Sequence, residues 1–312
     1  MIFFDGHTDT LCRIADEKHD LYENNLQLDI NRLNKKGKSV QFFAVYISPE
    51  YYGAYALRRA VELIECFYGE LEKYNNYMSL CLKYSDIINA LEEGKTAALL
   101  SLESGDALQG RIYVLKTLYR LGIRSMCLTW NHRNELADGV FEQESGGGLT
   151  LFGRNVVKEM NRLGMLIDVS HLGEKGFWDV IECSKSPIAA THTNAKTVCN
   201  HQRNLNDEQI KALASSGGVI GINMYSPHLT DNSKATISDV IAHIEHVISI
   251  GGEDCVGIGA DFDLIEDTPE GINGTEDMYK LFDELFKLNY PQRIIEKIAG
   301  GNFLRLVKEV LK

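Results

Sequence analysis

The stretch TAALLSLES, residues 96–104, shows the pattern on which the fold assignment depends. Its apolar residues follow one another without strict alternation, which is typical of a strand covered on both faces in a parallel sheet. Seven further stretches share this character: IFFDGHTD (2–9), VQFFAVYI (40–47), IRSMCLTW (123–130), MLIDVSH (165–171), IAATHTN (188–194), GVIGINMY (218–225) and CVGIGADFD (255–263). The sequence therefore predicts eight buried parallel strands.

Helical patterns lie between the predicted strands, at residues 55–74, 85–95, 107–122, 152–164, 206–218 and 238–252, and two or three more fill residues 276–312. Strands that alternate with helices in this way predict an α/β fold: a (β/α)8 TIM barrel, formed by residues 1–312 as a single domain with extra C-terminal helices. A doubly wound open sheet is the alternative. Its phosphate-binding glycine motif is missing, because the nearest glycine cluster, SGGG at 145–148, follows no strand and lacks a P-loop lysine.

The composition is that of an ordinary globular protein. The 312 residues are 44% hydrophobic and 24% charged, with a net charge of −12. The acidic balance argues against nucleic acid and anionic membranes as partners, and no apolar run is long enough to span a bilayer. The N-terminal segment lacks the features of a signal peptide, and the seven cysteines form no CxxC pair. We therefore expect reduced thiols in a cytoplasmic protein, and we leave open whether it forms a homodimer.

Residues that can bind metals or transfer protons stand at the ends of five predicted strands. They are His7 and Asp9, then Glu103, His171, His192 and Asp261. The carboxyl ends of the strands in a parallel barrel meet on one face, where barrel active sites lie. Because His7 and Asp9 are two residues apart on a strand, both side chains point to the same side and can share one ion.

These residues predict a centre for two divalent ions. His7, Asp9 and Glu103 would hold one ion, and Glu103, His171 and His192 would hold the second, with one Glu103 oxygen for each. Imidazole and carboxylate ligands suit Zn²⁺ or another borderline divalent ion. Two ions about 3.5–4 Å apart would share a water and lower its pKa, which supplies a bridging hydroxide nucleophile at neutral pH.

Taken singly, several of these residues have an ordinary structural interpretation. Glu103 could help to begin a helix near Asp106, and Asp261 could be a turn residue. We expect structural roles for the remaining histidines, although His201 and His228 lie in loops that could approach the mouth of the site. The coincidence at five strand ends favours the metal centre.

Seven segments, in order along essentially the whole chain, resemble motifs of the renal (membrane) dipeptidase family, the M19 metallopeptidases of amidohydrolase type. They are DGHTD (5–9), SLESGDAL (101–108), LTWNHRNELADG (128–139), GMLIDVSH (164–171), IAATHTNA (188–195), RNL (203–205) and GIGADFD (257–263). The resemblance is to the soluble bacterial members. It implies a zinc-dependent dipeptidase with two Zn²⁺ per chain, bound by the five ligands named above and bridged by Glu103. It further implies Asp261 as the catalytic acid and base, and Arg203 and Tyr225 as residues that bind the dipeptide substrate.

One position departs from the family pattern. The mammalian members carry a histidine directly after the Leu-Thr of the predicted strand at 123–130, where this chain has Trp130, with His132 two residues further on. We expect Trp130 to line the substrate pocket and the metal ions to stabilise the oxyanion. Two other functions stay open: hydrolysis of another small amide, such as an N-acyl amino acid or a lactam, and a metal-binding barrel without catalytic activity.

Overall fold

Nine parallel strands form the centre of the structure, a computed structural model that describes residues 1–312. They are β1 (Phe3–Thr8), β2 (Ser39–Tyr46), β3 (Met78–Leu80), β4 (Thr96–Glu103), β5 (Ile123–Cys127), β6 (Leu166–Asp168), β7 (Ala189–Thr193), β8 (Val219–Ile222) and β9 (Val256–Ile258). The strand order is β2-β1-β9-β8-β7-β6-β5-β4-β3, and pairing of β2 with β4 closes eight strands into a barrel. This closure confirms the TIM barrel and excludes the open sheet. The additional strand β3 pairs only with the start of β4.

Helices follow the strands around the outside of the barrel. They are α1 (Thr10–Glu17), α2 (Ile30–Lys36), α3 (Ala56–Tyr74), α4 (Tyr84–Glu92), α5 (Ile112–Arg120), α6 (Leu151–Leu163), α7 (Glu174–Cys183), α8 (Asp207–Ser215), α9 (Ser226–Leu229), α10 (Ile237–Gly251), α11 (Tyr279–Lys287), α12 (Gln292–Glu296) and α13 (Asn302–Val310). The predicted helices are present, except that 107–122 is divided into a 3₁₀ turn and α5. None of the helices combines the length and the apolar character that crossing a bilayer requires.

Several strands end earlier than their sequence patterns predict. The strand β6 ends at Asp168 and not at His171, and β9 ends at Ile258 and not at Asp263. The reason is the backbone of the following residues: His171 and Asp261 both have φ of 65°, in the left-handed region that an extended strand cannot adopt. Both residues therefore belong to the first turns of the loops that follow the strands.

The amino-terminal end of the barrel is closed by the last helix, α13. Its Phe303 ring lies 5.2 Å from the Phe4 ring, centroid to centroid, inside an apolar cluster formed by the first residues of several strands. Two glycines make room for this ring, because a Cβ at Gly6 or Gly257 would lie 2.8 or 2.7 Å from it. Helix α13 thus closes the end of the barrel that faces away from the predicted site.

Candidate metal centre

Glu103, the last residue of β4, lies in the middle of the predicted ligands. Its Oε2 is 3.2 Å from His7 Nε2, whereas its Oε1 is 3.1 Å from His171 Nε2 and 3.9 Å from His192 Nε2. The two oxygens of one carboxylate therefore face two different ligand groups. Glu103 does not begin the next helical turn, since Ser104 Oγ accepts the hydrogen bond from the Asp106 amide there.

Two overlapping groups of three side chains can each hold a metal ion. They are His7, Asp9 and Glu103, and Glu103, His171 and His192, and all five residues are buried. Three of their atoms, His7 Nε2, Asp9 Oδ1 and Glu103 Oε2, are buried without a hydrogen-bond partner. Buried polar atoms are normally paired, so these three unpartnered atoms fit a cation bound between them.

The carboxylates of the cluster are crowded in a buried space. Burial, together with the neighbouring Glu103, raises the pKa of Asp9 to about 7, and burial also raises the pKa of Asp261 to about 7. For His7, burial opposes protonation, but the adjacent Glu103 and Asp9 outweigh it and raise its pKa well above the usual value. Positive charge at this point would stabilise the ionised carboxylates, which is what divalent ions provide.

The two histidines of the second group are oriented by different neighbours. His171 Nδ1 lies 2.7 Å from Asn131 Oδ1, and His192 Nδ1 lies 2.9 Å from Thr191 Oγ1, which donates in turn to the buried Asp168. Burial lowers the pKa of both imidazoles well below the usual value. Both rings are therefore neutral, the form that binds metals, and their Nε2 atoms point together at a separation of 2.8 Å.

Asp261 lies beside the predicted ligands, and its side chain is hydrogen-bonded to a residue outside that group. Its Oδ1 is 3.7 Å from His7 Nε2, and its Oδ2 accepts a hydrogen bond from Asn223 Nδ2 at 2.6 Å. Asp261 also forms a third possible ligand group with His7 and His192. Asn223 could not be identified from the sequence, because nothing in its segment marks it as the partner of a residue 38 positions away.

A cavity of about 540 Å³ leads to this cluster, and Asp9, Glu103, His171 and Asp261 line it. Arg203 and Tyr225, both predicted as substrate-binding residues, lie in its wall. Arg203 is buried, and its guanidinium donates to the His192 carbonyl at 3.3 Å.

Two further histidines, His201 and His228, line the same cavity, with their rings 4.4 Å apart. The backbone amide of Arg203 donates to His201 Nδ1, and burial lowers the pKa of His228 to about 2. The sequence placed both only in loops that could reach the mouth of the site. The structure brings them to the site beside Arg203 as neutral hydrogen-bonding groups.

Trp130, three residues beyond β5, is one of the residues that line the cavity. Its ring lies 5.6 Å from the Tyr46 ring and 5.9 Å from the His171 ring. His132 does not take this place: it is exposed, and its ring packs edge-on against Phe141, 5.5 Å away.

The fold and the site together indicate the class of protein to which this chain belongs. A parallel barrel whose strands end in a buried cluster of histidines and carboxylates, open to a small cavity, is the arrangement of a metal-dependent hydrolase. The family model described as membrane dipeptidase (peptidase family M19) matches residues 1–312. The chain belongs to this family of metallo-dipeptidases.

The chain is also similar to individual relatives and solved structures. The chain is 32% identical over 309 residues to an uncharacterized dipeptidase of Schizosaccharomyces pombe, covering 92% of this chain and 74% of the relative. It is 35% identical over 242 residues to an uncharacterized protein in the pqqA 5′ region of Klebsiella pneumoniae, covering 75% and 89% of the two chains. Among solved structures, a metallo peptidase of Rhodobacter sphaeroides liganded with a phosphinate mimic of the dipeptide L-Ala-D-Ala has a TM-score of 0.91 at 26% identity, over 99% of each chain.

Proposed function

We propose that this protein is a zinc-dependent dipeptidase with two metal ions per chain. The observation that carries the proposal is the position of Glu103, whose two carboxylate oxygens each face a separate group of buried ligands. His7 and Asp9 would complete one site, and His171 and His192 the other. A set of nitrogen and oxygen ligands of this kind suits Zn²⁺.

When bound, the two ions would supply a bridging hydroxide near neutral pH and polarise the carbonyl group that it attacks. Asp261 is the proton-transfer residue of the proposal, because it lines the cavity next to the ligands, with its Oδ1 3.7 Å from His7 Nε2. A carboxylate in this position can accept a proton and return it to the leaving amine. Asn223 fixes its orientation through the hydrogen bond to Oδ2.

The cavity wall supplies the groups that would recognise the two ends of a dipeptide. The buried Arg203 guanidinium is a strong donor to the terminal carboxylate of the substrate, and Tyr225 and His228 lie in the wall with it. The free amine would approach the carboxylates Asp9 and Asp261. The volume of about 540 Å³ is within the usual range of small-molecule sites, about 300–1,000 Å³.

A substrate panel assayed with zinc-loaded protein tests the proposal. It should contain L,L and L,D dipeptides, such as L-Ala-L-Ala and L-Ala-D-Ala, and N-acetylated amino acids of matched side chains together with a simple lactam. We expect hydrolysis of dipeptides and little of the other amides. A preference for N-acyl amino acids or for the lactam would support the alternative amidohydrolase, and a zinc-loaded protein inert on the whole panel would support a non-catalytic metal-binding barrel.

A further inference from the structure

We propose that Asn131 has two roles at this site: it positions His171 for metal binding, and it donates a hydrogen bond to an oxygen of the bound substrate. The inference deepens the proposed function and rests on it. It concerns the residue directly after Trp130, the position at which this chain departs from the histidine of the mammalian family members.

The backbone around Asn131 is fixed against the loop that carries His171. The Asn131 carbonyl accepts a hydrogen bond from the Phe141 amide at 2.9 Å, and the His171 carbonyl accepts one from the Val140 amide at 2.8 Å. Gly139 permits this contact, because a Cβ there would lie 2.5 Å from the Asn131 carbonyl oxygen. The loop after β5 and the turn after β6 are thus joined by backbone hydrogen bonds.

The metal chemistry of His171 decides how the Asn131 carboxamide is oriented. His171 Nε2 faces Glu103 Oε1 at 3.1 Å and His192 Nε2 at 2.8 Å, so Nε2 is the atom available to an ion and must keep its lone pair. The ring proton of the neutral imidazole then lies on Nδ1, which donates to Asn131 Oδ1 at 2.7 Å. Metal-binding histidines are commonly oriented by such a bond from their other nitrogen.

This assignment leaves the Asn131 Nδ2 group free as a donor. Nδ2 makes no hydrogen bond within the protein, and Asn131 lines the cavity together with Trp130 and Arg203. The orienting partners of His192, Thr191 and Asp168, do not line it. Asn131 is therefore the orienting residue that a substrate can also touch, through a carbonyl or carboxylate oxygen.

Two substitutions separate the roles. Asn131→Asp keeps an oxygen acceptor for His171 Nδ1 but has no Nδ2 donor, whereas Asn131→Leu has neither. Zn²⁺ affinity is measured by competition with a chromophoric chelator, and kcat and KM for L-Ala-L-Ala are measured at saturating Zn²⁺. The exposed His132→Ala serves as the matched control, with Zn²⁺ affinity and kinetics unchanged.

The two roles predict different patterns. In Asn131→Leu the affinity for one of the two ions should fall about 10–100-fold, the usual effect of removing an orienting partner. In Asn131→Asp the affinity for this ion should be unchanged or higher. The lost donor should raise KM about 3–10-fold in both variants, with a smaller change in kcat.

Each role has its own contradicting result. Wild-type Zn²⁺ affinity in Asn131→Leu would refute the positioning role. Wild-type KM in zinc-saturated Asn131→Leu would refute the donor role even if KM rises in Asn131→Asp, because the added negative charge would then explain that rise. Asn131→Ala replaces the leucine variant if the latter does not fold. If the wild-type protein binds two ions but cleaves no dipeptide, the proposed function and the donor role fail together, whereas the zinc titration still decides the positioning role.

Discussion

The substitution Asp261→Asn tests whether this carboxylate transfers a proton or binds a metal ion. Asparagine has the same shape, and its Oδ1 can accept the hydrogen bond from Asn223 Nδ2 that Asp261 Oδ2 accepts at 2.6 Å. The side chain should therefore stay in place. What it loses is the ability to take up a proton and release it.

The geometry around His7 indicates that Asp261 is not needed to bind the metal ions. Asp261 Oδ1 is 3.7 Å from His7 Nε2, farther than Glu103 Oε2 at 3.2 Å, and His7, Asp9 and Glu103 form a complete group without it. The metal content should therefore stay at two ions per chain. The loss of a positioned acid and base lowers the rate about 10²–10⁴-fold, or about 2.7–5.4 kcal/mol in activation free energy.

The assay measures kcat, KM and zinc content of the same preparation. We expect kcat to fall 10²–10⁴-fold, with KM and zinc content near wild type. The matched control is Asp263→Asn. The buried Asp263 carboxylate accepts hydrogen bonds from Thr10 Oγ1 and, at 2.6 Å, from the backbone amide of Gln27. Because Asp263 does not line the cavity, the Asp263→Asn variant should have an unchanged kcat. Loss of an ion from Asp261→Asn would make Asp261 a ligand, and a wild-type kcat would exclude the proton-transfer role.

Other perturbations test separate parts of the site. Glu103→Gln should lower the affinity for both ions at least about 100-fold and abolish turnover. Loss of an orienting partner lowers metal affinity about 10–100-fold, and loss of an anionic ligand shared by both ions should lower it more. Normal metal content in Glu103→Gln would contradict this prediction. Trp130→Ala should mainly raise KM for dipeptides with apolar side chains, and Trp130→His should stay active. A drop in kcat of about 10²-fold at constant KM in Trp130→Ala would instead identify the indole N–H as a transition-state donor. In metal-free protein the pKa values of Asp9 and Asp261 are about 7, above the ordinary 3.8, so the stability that these two groups contribute is lost as pH rises from about 4 through about 7. The lowered pKa values of His171 and His192 act in the opposite direction, mainly below the ordinary histidine value of about 6.5, so the loss dominates above that pH. The melting temperature of chelator-treated protein should thus be lower at pH 8 than at pH 6.5, and zinc should raise the melting temperature more at pH 8. A higher melting temperature of the metal-free protein at pH 8 than at pH 6.5 would contradict the raised pKa values.

The candidate ligands could be proposed from the sequence because each stands at the end of a recognisable strand or within a few residues beyond it. Glu103 is the last residue of β4, and His7 and His192 lie within β1 and β7. Once the strands are arranged as a parallel barrel, their carboxyl ends meet, and the candidate ligands are brought to the same face. The family resemblance then added roles for Arg203 and Asp261, both of which lie in the cavity wall.

The supporting residues could not be predicted because they depend on contacts between distant loops. Asn131 meets His171 across 40 positions, and Asn223 meets Asp261 across 38. Both contacts depend on left-handed turns at His171 and Asp261, which the apolar pattern of the preceding strands conceals. The helix α1 was missed for a related reason, because it begins at Thr10 directly after the β1 motif, without a loop to mark its start.

The central claim is that one chain holds two metal ions at ligands joined by Glu103 and uses them to hydrolyse dipeptides. Stepwise addition of Zn²⁺ to chelator-treated protein, with bound zinc and hydrolysis of L-Ala-L-Ala and L-Ala-D-Ala followed in the same samples, tests it directly. We expect no activity without metal, saturation at about two ions per chain, and full activity only as the second ion binds. Full activity in the metal-free protein, or saturation of both binding and activity at one ion per chain, would contradict it.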